Sequence, residues 1–319
     1  MGVKLLKSFF NTFCGDKLQK KHLSVLYGKK ICIDTSIYLY KYLSQDALLE
    51  NIYLLCSVLK YYKIKPLFVF DGKPPHKKGE ELYLRRQKKK EAEVQYFDLL
   101  NEINQNNKII DKNLKEKMKF LKRQMVKLTT KDIKRTKELL QSLGVKYIDA
   151  EGEADILCAE LVLKKKVYAC LSDDTDLFVY GCPRVLRSIN LINHNVIFYD
   201  TKILLEKLNI SMDDFKWMCI LSGTDYYHSI ENNIYQNYNL YKKFLKKNEE
   251  ITYTEWLKTK NIINDDTIIE CENIYELYNL EKSKTINNYK YMLINYGLED
   301  KFKTQNILKS ERFIFVPKK

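Results

Sequence analysis

The chain has 319 residues, 45% of them hydrophobic, which is ample for a packed core and excludes an intrinsically disordered protein. Its net charge is +14, so the partners to expect are polyanions, with lysine supplying all but seven of the 55 basic side chains. The eight cysteines include no CxxC pair and fall mostly inside apolar runs, which argues against a zinc finger or a disulfide framework and for reduced core thiols in an intracellular protein.

The N-terminal stretch "MGVKLLKSFF" is amphipathic, and neither a cleavable leader nor a membrane span is expected. Leu6 stands where a myristoylation pattern needs Ser or Thr. "KKICIDTSIYLYKYL" then predicts a short strand over Ile31–Ile33 ending in Asp34, followed by a helix carrying Tyr38, Leu39 and Tyr42. "KIKPLFVFDGKPP" predicts a second strand, Leu67–Phe70, ending at Asp71-Gly72. Continuous apolar runs of this kind suit strands covered on both faces of a mainly parallel sheet.

Between Lys73 and Lys137 the sequence holds 20 Lys or Arg and 9 Asp or Glu, a net of +11 out of the +14 of the whole chain. Charge this concentrated is the footprint of a polyanion-binding surface rather than an ordinary solvated face. Ile110, Leu114, Met118, Leu121, Met125 and Leu128 recur at spacings of three and four, an apolar seam on one helix. The polar stretch "NEINQNNKIID" at 101–111 predicts a turn between two helices. Lys78, Arg85 and Lys89 would share a helical face if the first helix began that early.

"GVKYIDAEGEADILCAELVL" predicts a third strand, an acidic turn and a helix, and "KVYACLSDDTD" a fourth strand with another acidic turn. "FKWMCILSGTDYY" has a helical pattern and places Asp225 on the turn behind it. Four strand ends and one helix end therefore carry acids. In open α/β sheets the carboxyl ends of the strands are where ligands bind. After about residue 226 the chain becomes rich in Asn, Tyr and Lys, and reads as helices.

Carboxylates gathered in one place repel one another and raise each other's pKa unless a cation offsets them. Lysine could do so for any one acid. Seven acids with only four histidines in the chain point instead to hard divalent cations bound through oxygen. Two such ions activate water and stabilise the leaving oxygen of a phosphodiester. An acid cluster beside a basic helical segment implies metal-dependent cleavage of nucleic acid.

"MGVKLLKSFF", "IDTSIYLY", "VFDGKPPHKKGEELYLRR", "GVKYIDAEGEADILCAELV", "KVYACLSDDTDLFVYG" and "CILSGTDYYHSI" occur in the order found in the flap endonuclease family of structure-specific 5′-nucleases, which the chain resembles over residues 1 to about 230. The resemblance implies an α/β, PIN-like fold with a central, mainly parallel sheet flanked by helices. It implies a nuclease core over 1–225, a basic helical arch over about 74–135, and a helical C-terminal region over 226–319 packed on the core. It also implies two Mg²⁺ ions, replaceable by Mn²⁺, held by Asp34, Asp71, Glu153, Asp155, Asp174, Asp176 and Asp225. Asp155 is shorter than the Glu usual there, and Glu151 and Asp173 lie outside the pattern. Lys78 and Arg85 match the arch residues that contact the scissile phosphate, Lys89 the same basic face, Tyr40 the aromatic that stacks on a base, and Gly2 the N-terminus near the metals.

The implied substrate is DNA with a 5′ flap or a single-strand/duplex junction, cut by a monomer in replication, repair or recombination, in a nucleus or at a viral replication site. Two departures bear on partners. The family's Gly-rich hairpin, which grips duplex and binds K⁺, is replaced by the glycine-free "YYHSIENNIYQNYNLYKKF". A sliding-clamp peptide would need its aromatics soon after Gln305 and Leu308, but they arrive at Phe313 and Phe315. The glycine-free hairpin keeps open a sibling activity, a junction resolvase or an RNA 5′-exonuclease. A non-catalytic nucleic-acid scaffold is the competing class, and the seven intact acids argue against it.

Overall fold

The computed structural model describes residues 2–73, 78–105, 111–227, 232–247, 250–280, 297–311 and 313–314. In chain order the elements begin with α1 (Leu6–Cys14), β1 (Gln19–His22), β2 (Lys30–Asp34), α2 (Thr35–Leu43), α3 (Leu48–Tyr61) and β3 (Lys65–Phe70). Next come α4 (Gly79–Gln105), α5 (Lys112–Gln124), α6 (Thr130–Ser142), β4 (Lys146–Asp149), α7 (Ala154–Leu163), β5 (Ala169–Leu171) and α8 (Asp176–Val179). The remainder is β6 (Arg184–Asn190), β7 (Asn195–Asp200), α9 (Thr201–Leu208), α10 (Met212–Leu221), α11 (Ile234–Leu245), α12 (Tyr253–Thr259), α13 (Asp265–Leu277) and α14 (Lys301–Lys309). No helix of the described residues is long and apolar enough to cross a membrane.

The strands form one sheet in the order β1-β7-β6-β5-β2-β3-β4. β2 pairs in parallel with β3 and with β5, and β5 in parallel with β6. This is the mainly parallel, helix-flanked α/β sheet expected from the apolar runs. The sequence reading did not anticipate the antiparallel edge, where β7 pairs with β6 and β1 with β7. β1 is "QKKH", a polar strand without apolar alternation, so nothing in its pattern announces it.

Chain contacts divide the molecule into two compact units, each built from three separate stretches. The first comprises Met1–Asp34, Val58–Lys73 and Ile148–Leu293. It contains β2, β3 and β5, whose residues Ile31–Ile33, Leu67–Phe70 and Ala169–Leu171 are all buried. α7 is apolar on every side except for its two acids, and eight of its ten residues are buried, as befits a helix enclosed in a core.

The second unit comprises Thr35–Ser57, Pro74–Tyr147 and Ile294–Lys319. Here α4 and α5 pack through Ala92, Leu99 and Leu121, with Tyr96, Ile103, Leu114 and Met118 around them. The predicted seam thus forms at Leu114, Met118 and Leu121, while Ile110 lies outside the described residues. Met125 is the C-cap of α5, so the seam ends there rather than running on to Leu128. Lys78 immediately precedes α4 and is buried; it is not on the helical face that Arg85 and Lys89 share. In the same unit Leu308 is fully buried and Phe313 packs edge-on against Tyr53. Phe315 lies outside the described residues.

Candidate metal centre at the carboxyl ends of the strands

All seven predicted acids belong to the first unit. Asp34 ends β2 and Asp71 follows β3; β2 lies between β3 and β5, so neighbouring strands deliver their acids to one end of the sheet. Asp34, Asp155, Asp174 and Asp176 are buried, Glu153 and Asp225 half-buried, and Asp71 exposed.

Hydrogen bonds hold each acid in place. The Ser172 hydroxyl donates to Asp34 Oδ2 at 2.8 Å and accepts from the Asp174 backbone N–H at 3.0 Å, joining β2 to the turn after β5. Asp174 Oδ1 accepts from the Asp176 N–H at 3.1 Å. Asp71 Oδ1 accepts from the Ala154 N–H at 2.8 Å, so an acid from β3 caps the start of α7. Glu153 occupies the N-cap position of that helix without capping it; its carboxylate instead accepts from the Tyr226 hydroxyl at 2.5 Å. Asp155 Oδ1 accepts from the Ile156 N–H at 2.8 Å.

Two glycines let the backbone come this close. A Cβ on Gly72 would lie 2.1 Å from the Ala150 carbonyl oxygen, and the Gly72 N–H donates to the Gly152 carbonyl at 2.7 Å. The glycine after Asp71 therefore docks β3 onto the acidic turn before α7. Gly2 has φ +76°, a backbone region that side chains disfavour. A Cβ there would lie 2.5 Å from Asp174 Oδ1 and 2.6 Å from Asp176 Oδ1. Its N–H donates to Asp225 Oδ1 at 3.2 Å, so Gly2 gathers three of the acids around itself.

The electrostatics confirm the crowding. Burial, then Asp71 and Asp174 as like-charged neighbours, push the Asp34 carboxyl well above its ordinary range, and only the Ser172 hydrogen bond opposes them. Tyr180, buried beside Asp155 and Asp176, is pushed far above the usual phenol range, first by burial and then by those charges. The donor set is oxygen throughout, and its mutual repulsion is what a hard divalent cation relieves, so these residues fit such an ion.

Two other acids lie in the same turns. Asp173 accepts from the Ser188 N–H on β6 at 2.8 Å, and its own carbonyl accepts from Arg187 at 2.5 Å. Glu151 is exposed.

The sequence reading missed three supporting residues. Ser172 and Tyr226 are adjacent to acids in "LSDDTD" and "GTDYY" and could have been suspected from position alone. Tyr278, at the C-terminus of α13, gives no local signal. It is fully buried, and its hydroxyl donates to Asp176 Oδ2 at 3.2 Å. Burial and then Asp176 push its pKa far up, so it remains a protonated donor. Tyr278→Phe keeps the shape and removes the donor. We expect it to lower the metal-free stability by about 1.5–3 kcal/mol, the usual worth of a hydrogen bond to a charged group, read from the urea midpoint.

The predicted basic and aromatic residues lie in the second unit. Arg85 pairs with Glu81 one turn earlier on α4. Lys89 Nζ sits over the Tyr40 ring, 4.7 Å from its centroid. Burial, then Arg85 and Lys127 as positive neighbours, lower the Lys89 pKa. Tyr40 is 38% exposed, whereas Tyr38 and Tyr42 are buried, so of the three tyrosines on α2 it is the one that presents its ring to solvent.

An α/β protein with a carboxylate centre at one end of its parallel strands is the class this geometry defines. The sequence profile of the XPG N-terminal domain matches residues 1–92 and that of the XPG I-region residues 144–225. Together these cover more than half of the chain, and the chain belongs to the XPG family, which includes the flap endonucleases. It is 32% identical to flap endonuclease 1 of Candida glabrata over 254 residues, 72% of this chain and 62% of that protein. The chain thus spans a little under two thirds of the length of that relative. Among solved structures, it resembles flap endonuclease-1 from Methanococcus jannaschii with a TM-score of 0.61 at 25% identity, covering 93% of this chain and 91% of that one. It also shares the fold of the catalytic core of Rad2 in complex with DNA substrate, with a TM-score of 0.66 at 22% identity, covering 97% and 95%.

Proposed function

We propose that the protein is a divalent-metal-dependent, structure-specific 5′ nuclease that hydrolyses phosphodiester bonds in DNA at 5′ flaps and ends. The observation that carries this reading is that Ser172 ties Asp34 to Asp174 and that Gly2 stands against Asp174, Asp176 and Asp225, acids far apart in the chain. Family membership and the likeness to flap endonucleases support it.

In this reading Asp34, Asp71, Glu153, Asp155, Asp174, Asp176 and Asp225 hold two Mg²⁺ ions. When bound, such ions supply an activated water and stabilise the leaving oxygen. Gly2 and Ser172 fix the spacing of the acids, and Tyr226 and Tyr278 orient Glu153 and Asp176. Lys78 and Arg85 neutralise charge on the scissile phosphate, while Tyr40 stacks on a base, an interaction worth about 1–3 kcal/mol regardless of sequence. Lys89, already against the Tyr40 ring, adds a cation beside the stacked base. Residues 1–225 form the nuclease core, and the helices of 226–319 form the duplex-facing part without a glycine hairpin. Residues 228–231 of that connection lie outside the described residues. The K⁺ site and the clamp peptide are not part of the proposal.

A panel of 5′-flap, nicked, four-way and blunt duplex DNA, with single-stranded RNA, incubated with Mg²⁺ and with EDTA, tests the assignment. The 5′-flap duplex should be cut fastest, only with Mg²⁺, and less as salt rises, because phosphate contacts release counterions. Faster cutting of the four-way junction or the RNA would move the protein to a sibling activity. Tight binding with no cutting under any condition would make it a scaffold.

A further inference from the structure

Outside the acid centre, the first unit holds a second cluster of ligand-type side chains. Cys32 on β2, Cys170 on β5 and Cys158 on α7 place their sulfurs within 4.8 Å of one another. Cys32 and Cys170 are register partners across the parallel β2–β5 pair, and Cys158 comes from the helix packed on β2. All three are 0% exposed, and all are free thiols. Cys32 Sγ lies 3.6 Å from the Cys158 carbonyl and 3.7 Å from the Ala169 carbonyl. A fourth thiol, Cys182, turns instead to the Arg184 carbonyl at 3.6 Å.

We propose that these three thiols form a site for a trivalent thiophilic ion, arsenic(III) taken up as neutral arsenous acid, and that filling it inhibits the proposed nuclease. Softness selects the class of ligand, because thiol sulfur prefers soft acceptors. Charge selects within the class. Zinc would need a fourth ligand, and with three thiolates it would leave a net negative charge in a dry core. Arsenic(III) takes three sulfurs and ends neutral. Three As–S bonds form, three As–O bonds break, and the three thiol protons leave in three waters, with no change in oxidation state.

Inhibition follows from where the thiols sit, and this part rests on the nuclease reading. Cys32 is two residues before Asp34, Cys170 two before Ser172 and four before Asp174, and Cys158 three after Asp155. Drawing the sulfurs onto one ion moves β2, β5 and α7 together; β2 and α7 carry Asp34 and Asp155, and β5 leads into the turn that holds Asp174.

The test uses the full chain, reduced, incubated with sodium arsenite either natively or while refolding from urea, so that burial cannot bar entry. After removal of excess arsenite, native mass spectrometry should show one arsenic per chain, and arsenic-edge X-ray absorption three sulfurs around it. Cys158→Ala and Cys170→Ala should each retain at least tenfold less, and Cys56→Ala as much as wild type. Cleavage of the 5′-flap duplex by the loaded protein should fall at least tenfold and recover with excess dithiol. Absence of bound arsenic after refolding, a two-sulfur shell, or equal retention by Cys158→Ala overturns the site. Bound arsenic with an unchanged cleavage rate overturns the inhibition. If the variants fail to fold, the wild-type absorption spectrum alone decides the site. Because mass and spectrum need no activity, an inactive protein would sink the nuclease reading and leave this one standing.

Discussion

Asp174→Ala and Asp176→Ala should each slow Mg²⁺-dependent cleavage of a 5′-flap duplex by about 10²–10³-fold or more, the loss typical when a preorganised electrostatic group is removed. Both should still bind the duplex in EDTA, because the chain's basic excess lies in the lysine-rich segment and not among the acids. The two positions are not equivalent. Asp174 is tied through Ser172 to Asp34 on β2, whereas Asp176 is fully buried and receives the Tyr278 hydroxyl. Asp176→Ala therefore also leaves a buried phenol short of its acceptor and should lower the urea midpoint more than Asp174→Ala does. Asp173→Ala is the internal control. Its carboxylate faces Ser188 and Arg187, so cleavage should stay within about twofold of wild type while stability falls. Wild-type cleavage rates in both Asp174→Ala and Asp176→Ala would refute the metal centre.

Asp34→Asn should be more stable than wild type without metal and inactive with it. Asn keeps the acceptor for Ser172 and removes the charge that burial, Asp71 and Asp174 all oppose. The sign follows from linkage. The folded-state pKa of Asp34 is raised, so the folded protein holds this proton more tightly than the unfolded chain does. Below the ordinary value of 3.8 both states are protonated and the substitution gains nothing. As pH rises from there towards the folded pKa, only the unfolded chain ionises and wild type loses stability. The advantage of Asp34→Asn should therefore grow with pH and then level off, read as about 2–4 °C of melting temperature per kcal/mol. Mg²⁺ should reverse the order by stabilising wild type more than the variant. A metal-free Asp34→Asn that melts below wild type at neutral pH would contradict the crowding of Asp34 by Asp71 and Asp174.

Ser172, Gly72 and Gly2 show how a site readable as a set of acids becomes a site with a geometry. The strands behind the acids were legible because Ile31–Ile33, Leu67–Phe70 and Ala169–Leu171 are apolar runs stopped by Asp or Ser, a pattern set by neighbours in the chain. The polar edge strand β1 was not legible, because its ladder partner β7 lies far along the chain and pairing alone makes it a strand. Lys78 would share the face of Arg85 and Lys89 only in a helix that began before it, and α4 begins one residue later. Two units that each interleave three stretches of chain have no signature in local pattern.

The sequence by itself determined the α/β class, the acid at each strand end, the basic segment and the family, because each depends on residue type and short-range spacing. Only the tertiary structure decided that Tyr278 reaches Asp176 across 102 positions, that Gly2 donates to Asp225 across 223, and that three scattered cysteines share one pocket of the core. Those contacts depend on how the sheet and its helices pack, and packing is fixed by the whole buried surface at once rather than by any stretch of it.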